Sequence, residues 1–185
     1  MAATVYYAAM SLDGYIAEPE EKLEWLMGFD GPGYAGTDAG PVADAYPHFM
    51  EGIGALVMGA KTYDFILNEN ANWAYDDMPA WVYTNRDLPV MDEAVNLQFA
   101  SGDVSELHGE MLEAAGGKDL WLVGGGDLAS QYYEAGLLDH VRLTVVPIIL
   151  GAGYPLFAKP VAPMKLLGMT PFDSGMIELD YEIVR

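Results

Sequence analysis

Short apolar runs alternate along this chain with segments that have helical spacing. The first run, residues 4–10 (TVYYAAM), is rich in β-forming residues and ends at a Ser-Leu-Asp-Gly turn, so it predicts a strand. Further strands are predicted at residues 54–58, 81–84, 95–99, 120–123 and 141–146. Helices are predicted at residues 20–27, 42–51, 61–67, 104–115 and 128–135. Strands and helices therefore alternate up to about residue 146.

The last part of the chain has a different pattern. Residues 164–172 and 176–184 flank an Asp-Ser-Gly turn, which predicts a terminal hairpin. Alternating elements followed by a hairpin favour a single α/β domain over residues 1–185, with a mostly parallel sheet, flanking helices and an antiparallel edge. Residues 28–41 are rich in Gly and Pro, and they fit either a mobile loop beside a site or a surface excursion.

Charge limits the classes of partner. The 185 residues carry 28 Asp and Glu against 8 Lys and Arg, a formal charge of −20. Such a field disfavours nucleic acid and anionic membranes, so a phosphate-bearing ligand would need local cations and free backbone N–H groups. No Lys or Arg precedes Lys22, and the uncharged run at residues 143–158 is short and broken by Pro and Gly. We therefore expect a cytoplasmic, soluble protein without a signal peptide.

Cysteine is absent from the sequence, which excludes disulfides, thiolate metal sites and a cysteine nucleophile. The three histidines, His48, His108 and His140, have no metal-ligand spacing. We therefore predict no metal site.

Three predicted strand ends carry residues that suit a phosphate ligand, and ends of parallel strands meet at one edge of a sheet. Gly124, Gly125 and Gly126 follow one strand and open a helix, although a tight turn with nothing bound explains them equally well. Gly59, Lys61 and Thr62 form a similar junction. Thr84, Asn85 and Arg86 end a third strand, where Arg86 suits a phosphomonoester or, alternatively, a neighbouring acid.

Four segments in this order resemble the dihydrofolate reductase-like superfamily: VYYAAMSLDGYIA, VMGAKTYDF, VYTNRDLP and DLWLVGGGDLASQYYEAGLLDHVRLTVVPIILGAGYPLF. They are most similar to the reductase domain of the bifunctional riboflavin-biosynthesis deaminase–reductase. The resemblance covers nearly the whole chain. It implies an NADPH-dependent oxidoreductase that acts on a small heterocycle, as 5-amino-6-(5-phosphoribosylamino)uracil reductase does, and often a homodimer.

The resemblance also implies roles for particular residues. The residues at the three strand ends would hold NADPH: Gly59, Lys61 and Thr62 at the pyrophosphate, Thr84, Asn85 and Arg86 at the adenosine 2′-phosphate, and Gly124, Gly125 and Gly126 at the phosphates, often with a cis peptide between two glycines. Ala9 and Ile16 would flank the nicotinamide. Asp13, in the S-L-D-G motif, would orient or protonate the substrate, and Trp25 would contact it.

Two departures leave alternatives open. The Arg-rich stretch of the riboflavin reductases is replaced by residues 46–51 (YPHFME), and the residue three before Trp25 is Lys22, where folate reductases have an acid. The alternatives are a dihydrofolate reductase with an altered acid, a non-catalytic NADPH-binding module, and an α/β domain whose glycines only make turns.

Overall fold

The computed structural model describes residues 2–29, 41–68, 73–75 and 77–185, and the side chains of residues 41–44 lie outside this description. The strands are β1 (Thr4–Ser11), β2 (Tyr15–Ala17), β3 (Ile53–Gly59), β4 (Ala80–Tyr83), β5 (Leu97–Ala100), β6 (Asp119–Gly124), β7 (His140–Val146), β8 (Tyr154–Pro155), β9 (Lys165–Pro171) and β10 (Ile177–Glu182). The helices are α1 (Glu24–Met27), α2 (Pro41–Glu51), α3 (Ala60–Asn68), α4 (Ser105–Ala114) and α5 (Gly126–Glu134).

Eight strands form one sheet in the order β5-β4-β3-β6-β1-β7-β10-β9. The pairs from β5 to β7 are all parallel, whereas β10 runs antiparallel to both β7 and β9. The predicted single-domain α/β fold, with a mostly parallel sheet and an antiparallel terminal hairpin, is confirmed. This order brings the carboxyl ends of β3, β4, β6 and β1 to the same edge of the sheet.

The central strands are apolar because helices cover both of their faces. Ala55, Leu56, Val57 and Met58 of β3 are fully buried, and Leu120 and Leu122 of β6 lie beside them. Alternate side chains contribute to two core clusters on opposite faces, one around Val57 and Leu122 and the other around Leu56 and Trp121. Continuous apolar runs are therefore typical of these parallel strands.

The predicted helix at residues 20–27 is wrong over its first half. Residues 18–22 form a turn instead, in which the Glu18 N–H donates to the Lys22 carbonyl and Glu21 has a φ of 62°. A left-handed residue cannot continue a right-handed helix, so α1 begins at Glu24. The turn carries the Glu21 side chain toward α3, which matters for the site below.

Two short strands were absent from the sequence-based prediction. β2 pairs with β8 in a separate two-stranded sheet, and each has only two or three residues. Strands this short give no alternation to detect. Their pairing places the segment that follows β7 against the start of α5. The Ala158 N–H donates to the Gly126 carbonyl there at 3.2 Å.

Strand β9 forms one edge of the sheet, and all seven of its residues are exposed. Leu166, Leu167 and Met169 present apolar side chains there. The homodimer expected from the sequence stays a prediction. Within the described ranges, no helix combines the length and the apolar character needed to cross a membrane.

Candidate active site

A cavity of about 880 Å³ lies at the carboxyl edge of the parallel sheet. Its walls come from the ends of β1, β3, β4, β5 and β6, the first turns of α3 and α5, and β2 and β8. The structure brings together at this cavity all eleven residues predicted to hold the cofactor: Ala9, Ile16, Gly59, Lys61, Thr62, Thr84, Asn85, Arg86, Gly124, Gly125 and Gly126. They come from segments that are far apart in sequence and converge because parallel strands end at one edge.

Two strand-to-helix junctions meet at the floor of the cavity. β3 ends at Gly59 and α3 follows at once, while β6 ends at Gly124 and α5 begins at Gly126. A Cβ atom on Gly59 would lie 3.7 Å from the Gly124 carbonyl oxygen and from the Gly125 nitrogen. The Gly124–Gly125 peptide is cis, as expected from the resemblance, and Gly124 has a φ of 153°. Because the two junctions lie this close together, both helix N-termini open on the same space, and their first N–H groups have no partner within their own helix.

Lys61 sits at the mouth of the cavity in a group of three side chains. Its ammonium pairs with Glu21 Oε1 at 2.5 Å and donates to the Tyr154 hydroxyl at 3.1 Å. The Tyr154 hydroxyl in turn donates to Glu21 Oε1 at 3.0 Å. The Lys61 hydrogen bond lowers the pKa of the Glu21 carboxyl, and the same bond raises the pKa of Lys61. All three are at least partly exposed, so an incoming anion can compete for Lys61.

Arg86 is the second cation that lines the cavity, and like Lys61 it pairs with a carboxylate. Its guanidinium pairs with Asp64 of α3, and its backbone N–H donates to Thr84 Oγ1 at 3.0 Å. The Arg86 side chain is 55% exposed and that of Asp64 is 25% exposed. Ser101 and Gly102, which directly follow β5, complete this part of the wall. Neither residue was predicted from the sequence, although both follow a strand end as Thr84 does.

Asp13 lies outside the residues that line this cavity. Its carboxylate accepts hydrogen bonds from Ser11 Oγ at 2.7 Å, from the Leu150 N–H at 3.1 Å and from the Gly151 N–H at 2.7 Å. The Ser11 bond, followed by the backbone bonds, lowers the pKa of Asp13. This geometry fastens the β1–β2 turn to the segment after β7. A catalytic role for Asp13 stays a prediction, and its present contacts are those of a positioning residue.

Trp25 is buried rather than exposed to the cavity. It packs in a cluster with Val146, Phe172 and Met176, and only 6% of it is accessible. Leu23 and Leu26, its neighbours around α1, line the cavity instead. Ala9 packs against the Trp25 cluster from the cavity side, so Trp25 supports the wall and does not form its surface.

The cavity also has an aromatic end that the sequence did not indicate. Tyr7 of β1, Trp121 of β6 and Tyr75 contribute to it. Trp121 and Tyr75 have ring centroids 5.8 Å apart at an interplanar angle of 83°, and Trp121 Nε1 donates to the Tyr7 carbonyl at 3.1 Å. Tyr75 lies in an irregular segment and Tyr154 in the two-residue strand β8, so neither follows a strand-end pattern and only the folded chain shows their place. No group of three or more potential metal ligands occurs among the described residues.

The chain belongs to the RibD C-terminal domain family, whose model matches residues 64–177, more than half of the chain. It is 28% identical over 163 residues to the uncharacterized protein YwjB of Bacillus subtilis (strain 168), with 88% of this chain and 87% of that protein covered. It is 27% identical to the riboflavin biosynthesis protein RibD of Corynebacterium ammoniagenes, with 83% of this chain and 45% of RibD covered. It thus spans less than half of the length of that relative. The predicted family is confirmed.

Solved structures agree with this assignment. A Shewanella sp. PV-4 protein that its name provisionally places in riboflavin biosynthesis matches with a TM-score of 0.80 and 27% identity, covering 99% of each chain. Dihydrofolate reductase from Enterococcus faecalis, complexed with NADP(H), matches with a TM-score of 0.65 and 14% identity, covering 97% of this chain and 95% of that one. The second likeness shows a shared fold.

Proposed function

We propose that this protein is an NADPH-dependent reductase that delivers a hydride to a small heterocyclic substrate in the cavity described above. The observation that carries the proposal is the convergence of the eleven predicted cofactor residues on one cavity. Family membership supports a reductase, because the matched model is that of the RibD C-terminal domain. If the glycines served only to form turns, the presence of Lys61 and Arg86 in the same cavity would be unexplained.

The phosphates of the cofactor fit the floor of the cavity. Two nine-residue helices, α3 and α5, direct their N-termini there, and the partial positive charge of both favours an anion. The glycines at 59, 124 and 125 leave the backbone accessible, and Thr62 adds a hydroxyl. Lys61 supplies the neutralising charge once the phosphates displace Glu21. The net charge of −20 makes such local donors necessary.

The adenosine end fits the wall formed by Arg86, Thr84 and Asn85. A guanidinium can bind a phosphomonoester through two parallel hydrogen bonds, which suits the 2′-phosphate that distinguishes NADPH from NADH. Thr84 Oγ1 already holds the Arg86 backbone in place. In this proposal the Arg86 guanidinium leaves Asp64 and binds the 2′-phosphate instead. The adenine base then lies toward Ser101 and Gly102.

The nicotinamide end fits the small and apolar surface of Ala9 and Ile16. The cofactor, when bound, supplies the hydride, and this chain's residues orient the two reactants and exclude water around them. A Cβ on Gly125 would lie 3.9 Å from Ile16 Cδ1, so the glycine leaves room at this point. The carboxylates among the described lining residues, Glu21 and Asp127, belong to the phosphate side. The proton that completes the reduction therefore comes from water in this proposal.

Tryptophan fluorescence tests the proposal directly, because Trp121 lines the cavity. Titration with NADPH is expected to quench the emission at lower concentration than titration with NADH, at a moderate salt concentration that screens the negative charge. The Trp121→Phe variant should lose most of the quenching, which would show that Trp121 is the residue whose emission responds to the cofactor. Absence of binding by either nucleotide across several salt concentrations would refute both the reductase and a non-catalytic cofactor module. Consumption of NADPH with a substrate then separates those two.

Glu21→Gln is expected to tighten NADPH binding by about threefold to fivefold, because exposed ion pairs are worth up to ~1 kcal/mol and the amide releases Lys61. Loss of the carboxylate also removes repulsion of the phosphates. Isothermal titration of both proteins measures the effect. Glu134→Gln is the matched control, since Glu134 is similarly exposed and pairs with Lys159 away from the cavity. Weaker binding by Glu21→Gln would mean that Glu21 positions Lys61 for the cofactor rather than competing with it.

A further inference from the structure

The aromatic end of the cavity continues the surface that is proposed to hold the nicotinamide. Tyr7 and Ala9 lie two residues apart on β1, and Trp121 and Val123 lie two residues apart on the adjacent strand β6. Side chains two residues apart share one face of a sheet, about 7 Å from each other. All four line the cavity. A molecule held against Tyr7 and Trp121 therefore lies directly beside a nicotinamide held at Ala9, where a hydride acceptor belongs.

The polar groups at this end are already used or uncharged. Tyr7 packs on Phe49, and its hydroxyl lies 3.4 Å from both Thr144 Oγ1 of β7 and Glu178 Oε2 of β10. Burial raises the pKa of Tyr7, and burial likewise raises that of Tyr75 well above the usual range. Both phenols are therefore neutral at physiological pH. Leu23, Leu26 and Ile66 add apolar surface around them.

None of the eight Lys and Arg residues of the chain lines the aromatic end of the cavity. Lys61 and Arg86 line the cavity on its phosphate side. Four others form ion pairs away from the lining: Lys22 with Glu20, Lys159 with Glu134, Lys165 with Glu182, and Arg185 with Asp139. Lys118 precedes β6 and so lies at the opposite edge of the sheet.

Arg142 is the eighth cation, and it lies beside Tyr7 but outside the cavity lining. It pairs with Glu178 at 3.4 Å, and its guanidinium carbon lies 5.7 Å and 6.0 Å from the ring centroids of Phe49 and Tyr7. It is not among the lining residues. Residues 30–40, 69–72 and 76, which the structure does not describe, contain no Lys, Arg or His in the sequence, but they do contain four acids. They therefore cannot supply the missing charge.

A phosphate at the aromatic end would carry close to two negative charges against a lining without Lys or Arg, in a protein of charge −20, and the nearest guanidinium, that of Arg142, already pairs with Glu178. A flat ring, by contrast, finds the half-buried rings of Tyr7 and Tyr75 there to stack against, with the largely buried Trp121 beside them. We propose, on the basis of the reductase function above, that the hydride acceptor is an uncharged planar heterocycle without a phosphate. This chain would then differ from the riboflavin reductases in the substrate it takes, while sharing their fold.

A matched pair of ligands tests this inference on the wild-type protein. The probes are 5-amino-6-(ribosylamino)uracil and its 5′-phosphate, which differ only in the phosphate, and calorimetry measures each dissociation constant with and without saturating NADP⁺. The phosphate-free probe is expected to bind at least tenfold more tightly. A preference for the phosphate, or binding of neither probe, would overturn the inference. NADP⁺ binding is measured separately, so a failure of the reductase proposal is distinguishable.

Variants of Tyr75 locate the binding. Tyr75→Leu should weaken the phosphate-free probe by at least fivefold, because stacking of a base on an aromatic ring is worth about 1–3 kcal/mol. Tyr75→Phe keeps the ring and should stay within twofold of wild type. Circular dichroism and thermal unfolding show whether each variant is folded. Equal affinities of a folded Tyr75→Leu and the wild type would place the heterocycle elsewhere and overturn the assignment of this end.

Discussion

Replacing Arg86 with alanine should weaken NADPH binding by about 10-fold to 100-fold, while NADH binding changes by less than about threefold. The estimate follows from the worth of a hydrogen bond to a charged group, about 1.5–3 kcal/mol. The selectivity arises because NADH has no 2′-phosphate for the guanidinium to bind. The unpaired Asp64 would add repulsion of the phosphate in the variant, since its partner is gone.

Lys159→Ala is a closely matched control for this experiment. Lys159 is 56% exposed against 55% for Arg86, and each pairs with one carboxylate, Glu134 or Asp64. The control therefore removes one positive charge and one exposed ion pair without touching the cavity. It should leave both dissociation constants within about twofold of wild type. Equal losses of NADPH and NADH affinity in Arg86→Ala would show that Arg86 does not read the 2′-phosphate.

Much of the fold was readable from the sequence because its strands are buried in a parallel sheet. Runs such as GALVM and LWLV are apolar on both faces, and each is followed at once by glycine and a helix. The same local order located most of the candidate cofactor site, since a strand end is a local feature and all parallel strands end at one edge. Gly116 and Gly117, with φ values of 63° and 89°, likewise ended α4 where the pattern predicts.

The parts that could not be predicted depend on contacts between distant segments. Tyr154 meets Glu21 and Lys61 only after β8 pairs with β2, and nothing in the local sequence encodes that pairing. Asp13 shows the converse limit. An Asp-Gly turn and a substrate-facing carboxylate look identical in sequence, and only the folded chain shows that the Asp13 carboxylate accepts the N–H groups of Leu150 and Gly151. The sequence left open whether residues 28–41 form a mobile loop beside the site or a surface excursion. Most of this segment, residues 30–40, lies outside the described residues.

Gly126→Ala should destabilise the protein by about 2–3 kcal/mol, the usual cost of forcing an extra methyl group into a packed site. A Cβ on Gly126 would lie 2.3 Å from the Pro155 carbonyl oxygen and 2.8 Å from that of Leu156. Both contacts are with backbone, which cannot rotate away as a side chain can. At the size of this chain, the loss corresponds to a fall in the melting temperature of about 4–12 °C, measured by differential scanning calorimetry.

The segment that opposes this methyl group is fixed on several sides, so relaxation is costly. The Leu156 carbonyl accepts a hydrogen bond from the Tyr6 hydroxyl at 3.1 Å, and the Leu156 N–H donates to the Gly14 carbonyl at 3.0 Å. Ser130 Oγ accepts the N–H groups of Ala158 and Lys159. If the segment nevertheless shifts, it moves Tyr154 with it. NADPH affinity should therefore fall together with stability.

Gly109→Ala is the control for Gly126→Ala: the chemical change is the same, but the variant should be stabilised. Gly109 lies within α4, is exposed, and a Cβ there would meet no atom within 4 Å. Alanine is the better helix former, so this variant should gain about 0.5–1 kcal/mol. A Gly126→Ala protein as stable as Gly109→Ala would show that β8 does not press on the start of α5. The close approach of these two elements would then have no part in shaping the phosphate end of the cavity.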